Sequence, residues 1–171
     1  MKGRDLKIRK VVPKMIETEI PGWKRLEISN LVLDFNGTIA EDGKLIAGVA
    51  ERLEQISKMG VELFVITADT NGTVKRECER LPVKVLVYQS DCVAVNKREL
   101  VQKLGARQTA SIGNGRNDGQ MFEASELSIA VIGKEGCCCA SMARADIWVN
   151  NILDALDLLI VPSRLKATLR G

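Results

Sequence analysis

Short apolar runs alternate with amphipathic stretches along most of the chain. The runs predict six short buried strands at 31–33, 63–66, 83–87, 110–112, 128–132 and 147–149, and the stretches predict helices at 46–59, 72–80, 97–104, 117–124 and 152–160. In the first helix, one face is predicted from residues at helical spacing, and Gly60 follows as a stop; the residues of this face are Ile46, Val49, Leu53 and Ile56. This alternation predicts an α/β, Rossmann-like three-layer fold with a mainly parallel sheet.

Both ends of the chain differ from this pattern. Residues 15–29 carry two short alternating runs around Pro21-Gly22, which predicts an N-terminal β-hairpin. Residues 1–14 are rich in Lys and Arg, and we expect a flexible basic extension there. Pro162 is read as the end of the last helix, so that 161–171 are expected to form a basic tail. A single α/β domain is therefore expected over 15–160.

The composition limits the classes of function. The chain has no histidine, which excludes His-based triads and His metal sites. A net charge of +3 and an aromatic fraction of 4% argue against a nucleic-acid partner. No apolar run is long enough to span a membrane, and the basic start lacks the apolar core of a signal peptide. We therefore expect a cytoplasmic protein without a membrane partner.

The five cysteines are Cys78, Cys92 and the run Cys137-Cys138-Cys139. Adjacent cysteines do not have the two-residue spacing that is usual in zinc and redox motifs. Reduced, buried side chains are the simpler interpretation, and a redox-sensitive or soft-metal patch is the alternative.

The segment Asp34-Phe35-Asn36-Gly37-Thr38 directly follows the first predicted strand of the sheet. In parallel α/β folds, ligands bind at the carboxyl ends of the strands. A carboxylate held there suits nucleophilic attack on phosphorus, and backbone N–H groups around Gly37 could face phosphate oxygens. The Thr38 hydroxyl could hold the loop or donate to the phosphate. The alternative is that Asp34 is only a turn or cap residue.

Three later signals also lie next to predicted strands or helices. Thr67 closes the second strand, and its hydroxyl could bind a phosphate oxygen or merely cap the next helix. Lys97 is predicted to start a helix, where it could neutralise phosphate charge or remain a solvated lysine. In the loop at 112–118, glycines flank Asn114, and Asn117-Asp118 then open a helix where oxygen atoms could face a cation or simply cap it.

Taken in order, these segments resemble the haloacid dehalogenase (HAD) superfamily over residues 30–160. Thr67-Ala68-Asp69, and Lys97 followed by Val101 and Leu104, look like the P-type ATPase branch. The chain most resembles the small soluble P-type-ATPase-like phosphatases of that superfamily, which have no cap domain.

The resemblance implies a Mg²⁺-dependent phosphohydrolase or phosphotransferase with a phosphorylated substrate. Asp34 would attack phosphorus and become an aspartyl phosphate. Asp34, the carbonyl of Asn36 and residue Asn114 would surround Mg²⁺, and Asp118 would hold a metal-bound water or ligate directly. The residues implied to contact the phosphoryl group are Gly37, Thr67, Ala68, Lys97 and Asn117, the last of which would orient the loop or contact Lys97.

The chain departs from the family pattern at Asn36, where phosphatases of the superfamily usually have a second Asp. An amide cannot act as a general acid or base, and such catalysis typically contributes about 10²–10⁴ in rate. We therefore expect attack by Asp34 to survive and hydrolysis of the intermediate to be slow. Asp69, or the flap residues Glu41 and Asp42, could substitute for the missing acid.

A second departure is Asn114, where the family more often has a metal-binding Asp. With Asn at 36 and 114, two carboxylates and Lys97 leave a formal charge of −1, whereas Asp at both positions would give −3. We expect weaker binding of Mg²⁺ and less repulsion of phosphate as a result. A non-catalytic module that binds phosphate or Mg²⁺ for regulation is the alternative function.

The sequence leaves little room for a cap domain. Only residues 39–45 separate Thr38 from the helix predicted at 46–59, so a short flap at 41–44 is the expected cap. An open site suits a macromolecular substrate, or a small one covered by a neighbouring subunit of a homo-oligomer.

Overall fold

A computed structural model describes residues 15–68, 72–88 and 91–171. Its strands are β1 (Ile16–Glu19), β2 (Arg25–Ile28), β3 (Asn30–Asp34), β4 (Ala40–Glu41), β5 (Lys44–Leu45), β6 (Glu62–Thr67), β7 (Val83–Val87), β8 (Thr109–Gly113), β9 (Leu127–Val131) and β10 (Ile147–Val149). Its helices are α1 (Val49–Lys58), α2 (Thr73–Glu77), α3 (Val93–Leu104), α4 (Gly119–Ala124), α5 (Cys139–Met142), α6 (Ile152–Ile160) and α7 (Pro162–Leu169), with short 3₁₀ turns at Ala106–Gln108 and Arg116–Asp118.

Six strands form one parallel sheet in the order β10-β9-β8-β3-β6-β7. The chain leaves β3 towards β6 and β7, and it later returns to build β8, β9 and β10 on the other side. The end of β3 is therefore the point where the strand order reverses, which is where such folds place their ligands. Leu33 pairs there with Val65 of β6 and with Ile112 of β8.

Apolar side chains cover both faces of this sheet. Leu31 and Leu33 of β3 belong to one core cluster, which also contains residues of α1 and α6. Val32 points to the other face and belongs to a second cluster, formed with residues of α3 and α4. Alternate residues of a strand face opposite sides, so a strand buried on both sides is apolar throughout. The three-layer α/β prediction is confirmed.

The predicted N-terminal hairpin is also confirmed. Strands β1 and β2 pair antiparallel, with Ile16 opposite Ile28. The hairpin is a sheet of its own and does not extend the six-stranded sheet. Ile16 and Ile28 are buried in the core cluster that contains Leu31, and the Lys24 Nζ donates to the carbonyl of Glu126 at 2.6 Å.

The expected C-terminal tail is instead a packed helix, α7. Leu165 on this helix is fully buried, and the Gly171 N–H donates to the Pro21 carbonyl of the hairpin turn at 3.1 Å. Pro162 begins this helix and does not only end the previous one, because proline is well tolerated in the first turn of a helix, where its missing N–H costs nothing. The expected extension at 1–14 lies outside the described residues.

One helix begins earlier than predicted. Helix α3 starts at Val93, so Lys97 lies inside the helix and not at its start. The Cys92 side chain makes no capping hydrogen bond, so the sequence carries no start signal there. The short flap predicted at 41–44 is the antiparallel pair β4–β5. None of the helices in the described ranges is both long and apolar enough to cross a membrane.

Candidate active site

Asp34 ends strand β3 at the wall of a cavity of about 600 Å³. The following loop is compact because the Phe35 carbonyl accepts hydrogen bonds from the N–H groups of Thr38, Ile39 and Ala40. Phe35 itself is buried, which holds the loop against the core. The Asp34 side chain is 13% exposed, so its carboxylate meets the cavity from a mostly buried position.

Gly37 shapes this loop in a way that differs from the prediction. Its N–H, expected to face phosphate, donates to the Ala40 carbonyl at 2.9 Å and is therefore already used. Its φ of +75° is one that side-chain-bearing residues rarely adopt, and a Cβ there would collide with the Asn114 amide. The glycine is thus required for loop geometry and for the approach of Asn114.

Thr38 connects the nucleophile to the loop after β8. Its Oγ1 lies 3.3 Å from Asp34 Oδ2 and 3.1 Å from Asn114 Oδ1. A hydroxyl has one hydrogen, so it donates to one of these oxygens at a time. The Asn114 Nδ2 donates to the Gly136 carbonyl at 3.0 Å, which turns the amide oxygen towards Thr38 and Asp34. Of the two roles predicted for Thr38, the buried hydroxyl fits that of holding the loop.

Lys97 is the centre of a buried network. Its Nζ lies 2.6 Å from Asp34 Oδ1, 2.6 Å from Asp118 Oδ1 and 3.3 Å from Asn117 Oδ1. An ammonium has three hydrogens to donate, so these three oxygens occupy all of them. The Lys97 side chain is 0% exposed, which is possible because two carboxylates compensate its charge. The alternative of a solvated lysine is wrong.

Asp118 joins this network to the loop after β8. Its Oδ2 accepts the N–H groups of Asn114 at 2.9 Å and Gly115 at 2.7 Å. Gly113 must lack a side chain here, since a Cβ would collide with the Asp118 carboxylate. Asp118 thus positions both Lys97 and the Asn114 backbone from a fully buried place.

Burial and neighbouring charges shift the pKa values in this network. Burial, followed by the charge of Asp118, raises the pKa of Asp34 to about 6, although Lys97 and Thr38 act in the opposite direction. Burial lowers the pKa of Lys97, but the carboxylates of Asp34 and Asp118 outweigh it, and the net pKa is raised. The two carboxylates therefore favour the charged form of Lys97 beside the nucleophile.

The cavity brings together most of the predicted site residues. Those in its wall are Asp34, Asn36, Thr67, Ala68, Asn114 and Asn117. Gly37, Thr38, Lys97 and Asp118 support these residues from behind the wall. Among the described residues, no three His, Cys, Asp or Glu side chains are arranged to hold a metal. A cation at this site would therefore depend on carbonyl and amide oxygens besides Asp34, and such hard donors suit Mg²⁺.

Sequence reasoning missed Glu135, a carboxylate that also lines the cavity. It lies in the turn Gly133-Lys134-Glu135-Gly136, directly after strand β9. The rule that ligands bind at the carboxyl ends of parallel strands could have found it, because that rule applies to every strand of the sheet.

The three acids considered as substitutes for position 36 have different positions. Asp69 lies outside the described residues. Glu41 forms an ion pair with Lys134 at 2.7 Å and does not line the cavity that contains Asp34. Asp42 is exposed at the tip of the β4–β5 turn, and it also lies outside the cavity wall.

No family model matches the chain. The soluble P-type ATPase-like phosphatase of Methanocaldococcus jannaschii is 27% identical over 164 residues, which cover 89% of this chain and 60% of that protein. This chain therefore spans less than two thirds of that relative. An uncharacterized protein of the same organism is 41% identical over 85 residues, which cover 48% of this chain and 91% of that protein.

Solved structures share the fold. One is 3-deoxy-D-manno-octulosonate 8-phosphate phosphatase from Moraxella catarrhalis, in complex with a magnesium ion, a phosphate ion and KDO. Its TM-score is 0.66 at 18% identity, and the match covers 84% of this chain and 94% of that chain. The chain therefore shares the fold of this phosphatase, and over most of its length it is similar in sequence to a soluble P-type ATPase-like phosphatase.

Proposed function

We propose that the protein is a phosphohydrolase or phosphotransferase that works through an aspartyl phosphate on Asp34. The observation that carries this proposal is the contact of 2.6 Å between Asp34 Oδ1 and the buried Lys97 Nζ, at a cavity that also contains Thr67. The contact of Asp34 Oδ2 with Thr38 is long, at 3.3 Å, so Oδ2 is the oxygen freer to attack phosphorus.

In the first step, Asp34 Oδ2 bonds to phosphorus and the bond to the leaving oxygen breaks. Lys97 can move one donor to a phosphoryl oxygen by giving up its weakest contact, with Asn117 at 3.3 Å. Thr67 and Ala68 line the cavity where the other phosphoryl oxygens would lie. In the second step, water attacks phosphorus and inorganic phosphate leaves, or an acceptor hydroxyl takes the phosphoryl group.

We also propose that the reaction requires Mg²⁺, held by Asp34, the Asn36 carbonyl and the Asn114 amide oxygen. The Thr38 hydroxyl lies 3.3 Å from Asp34 Oδ2 and 3.1 Å from Asn114 Oδ1, so the carboxylate of Asp34 and the amide of Asn114 meet at one hydroxyl group. When bound, Mg²⁺ offsets the charge of the phosphoryl oxygens. Because amides replace carboxylates, we expect half-maximal activity at Mg²⁺ concentrations of about a millimolar or above, and a lower value for Asn114→Asp.

The decisive experiment is incubation with Mg²⁺ and acetyl phosphate or p-nitrophenyl phosphate. We expect a phosphoryl adduct in the wild type, detected by mass spectrometry and mapped to Asp34, and none in Asp34→Asn. We expect faster turnover in Asn36→Asp, because a carboxylate there restores an acid and base. An adduct on another residue, or turnover that persists in Asp34→Asn, would refute the proposal.

The second candidate is a regulatory module that binds phosphate or Mg²⁺ without chemistry. It is favoured by the amide at Asn36 and by the ammonium of Lys97, all of whose hydrogens already have acceptors. Binding of inorganic phosphate with Mg²⁺ measured by calorimetry, in a protein that forms no adduct, would favour it.

The substrate is proposed to be a phosphorylated compound that reaches the site in the cytoplasm. The β4–β5 flap is a small cap, which suits a macromolecular substrate or a small one enclosed by a second copy of the chain. Sedimentation measurements with and without substrate would distinguish these arrangements.

A further inference from the structure

The turn Gly133-Lys134-Glu135-Gly136 is built into the site from several sides. It closes through a hydrogen bond of 2.9 Å from the Gly136 N–H to the Gly133 carbonyl. The Gly136 carbonyl accepts from Asn114 Nδ2, and the Lys134 Nζ lies 2.7 Å from Glu41 Oε1 on the flap. These contacts place the turn between the flap and the loop after β8.

The turn also packs against the loop that carries the nucleophile. A Cβ on Gly133 would lie 3.4 Å from the Gly37 carbonyl oxygen. The Glu135 Oε2 lies 2.9 Å from the position that a Cβ would occupy on Gly37. Gly37 directly follows Asn36, and Asn36 and Glu135 line the same cavity, so the Glu135 carboxylate belongs to the same site as the position where phosphatases of the superfamily usually carry their second acid.

Within the described part of the chain, Glu135 makes no hydrogen bond or ion pair, although its neighbour Lys134 does. Of the described residues in the cavity wall, Asp34 and Glu135 are the two that carry carboxylates. Asp34 forms the covalent bond in the proposed reaction, so it cannot also transfer protons. Glu135 is then the one described acid in the wall that remains for this task.

We propose that Glu135 is the acid and base of the reaction, in place of the residue that Asn36 cannot be. This inference rests on the proposed function. In the first step, Asp34 Oδ2 bonds to phosphorus, the bond to the leaving oxygen breaks, and that oxygen takes a proton from the Glu135 carboxyl group. In the second step, the Glu135 carboxylate takes a proton from the attacking water while oxygen bonds to phosphorus and the bond to Asp34 breaks.

Acetyl phosphate separates the two steps, because its leaving group departs without a proton. For Glu135→Gln, we expect the adduct on Asp34 to form at nearly the wild-type rate. After removal of acetyl phosphate, we expect its decay to slow by about 10²-fold or more, since a glutamine cannot accept the proton. Glu135→Asp should recover part of the decay rate, and Glu135→Gln/Asn36→Asp should recover more.

Glu54→Gln is the matched control, because Glu54 is an exposed acid on α1 outside the cavity wall, and its adduct should decay as in the wild type. A decay rate in Glu135→Gln within twofold of the wild type would overturn this inference while leaving the adduct on Asp34 intact. Loss of adduct formation in Glu135→Gln would overturn it too, since the residue would then bind the phosphoryl group or the ion. Absence of an adduct in the wild type would instead refute the proposed function.

Discussion

Two supports of the cavity carry carboxylates, namely the network around Lys97 and the turn Gly133–Gly136, and they are built differently. Lys97 and Asp118 are fully buried, and every hydrogen of the Lys97 ammonium has an acceptor. In the Gly133–Gly136 turn, the Glu135 side chain is exposed and makes no hydrogen bond or ion pair with the described residues. A buried network holds the nucleophile in one place, whereas a proton carrier must exchange protons with solvent. The difference indicates that the network around Lys97 contributes to stability, whereas Glu135 in the turn remains free for chemistry.

The largest effect on the free energy of unfolding is expected from removal of the Lys97 charge. Lys97→Met would leave Asp34 and Asp118 buried without their cation, and we expect the free energy of unfolding to fall by about 3–5 kcal/mol. Urea denaturation followed by circular dichroism measures this change.

Lys84→Met is the matched control for this variant. Lys84 forms an ion pair of the same length, 2.6 Å, with Glu62, but both side chains are more than half exposed. Such pairs contribute about 0–1 kcal/mol. Equal losses in the two variants would contradict the distinction between a buried and an exposed pair.

An intermediate effect on stability is expected at Gly37, where Asn114 and Glu135 approach the loop that follows Asp34. Gly37→Ala would combine an unfavourable φ with a collision against Asn114, and we expect a loss of about 1–3 kcal/mol. Gly136→Ala has a nearly equal φ of +77°, but a Cβ there meets no described atom within 4 Å. Its loss should be about 1 kcal/mol, from the backbone alone. Thermal unfolding of both variants shows whether the close approach of Asn114 adds to the cost.

The smallest effect on stability is expected at Glu135. Because this side chain is exposed and has no partner among the described residues, Glu135→Gln should change the free energy of unfolding by less than about 0.5 kcal/mol. The same variant should slow adduct decay strongly. A large loss of stability would show instead that Glu135 is part of the supporting structure, as Lys97 is.

Much of the fold and part of the site could be predicted from the sequence. The alternation of apolar runs and amphipathic stretches identified the six strands of the sheet, because buried strands and helix faces leave a local pattern. The C-terminal helix was missed, since Pro162 permits both a stop and a start. The start of α3 was misplaced because no capping side chain marks it.

The positions of the site side chains were harder to predict. Local pattern left open whether Lys97 contacts phosphate or is solvated, because its two carboxylate partners are 63 and 21 positions away. The availability of the Gly37 N–H was also misjudged, since its acceptor is set by the closure of the loop at Ala40. A sequence shows which polar groups exist, but the partners of each group depend on the folded chain.

The sequence by itself determined the six strands of the central sheet and a carboxylate at the end of one of them, because these depend on local periodicity and residue type. Only the tertiary structure decided that the Lys97 ammonium is fully occupied and that Glu135, which has no hydrogen bond or ion pair within the described ranges, lies against Gly37. The physical reason is that hydrogen-bonding capacity is filled or left free only when segments distant in the chain come together.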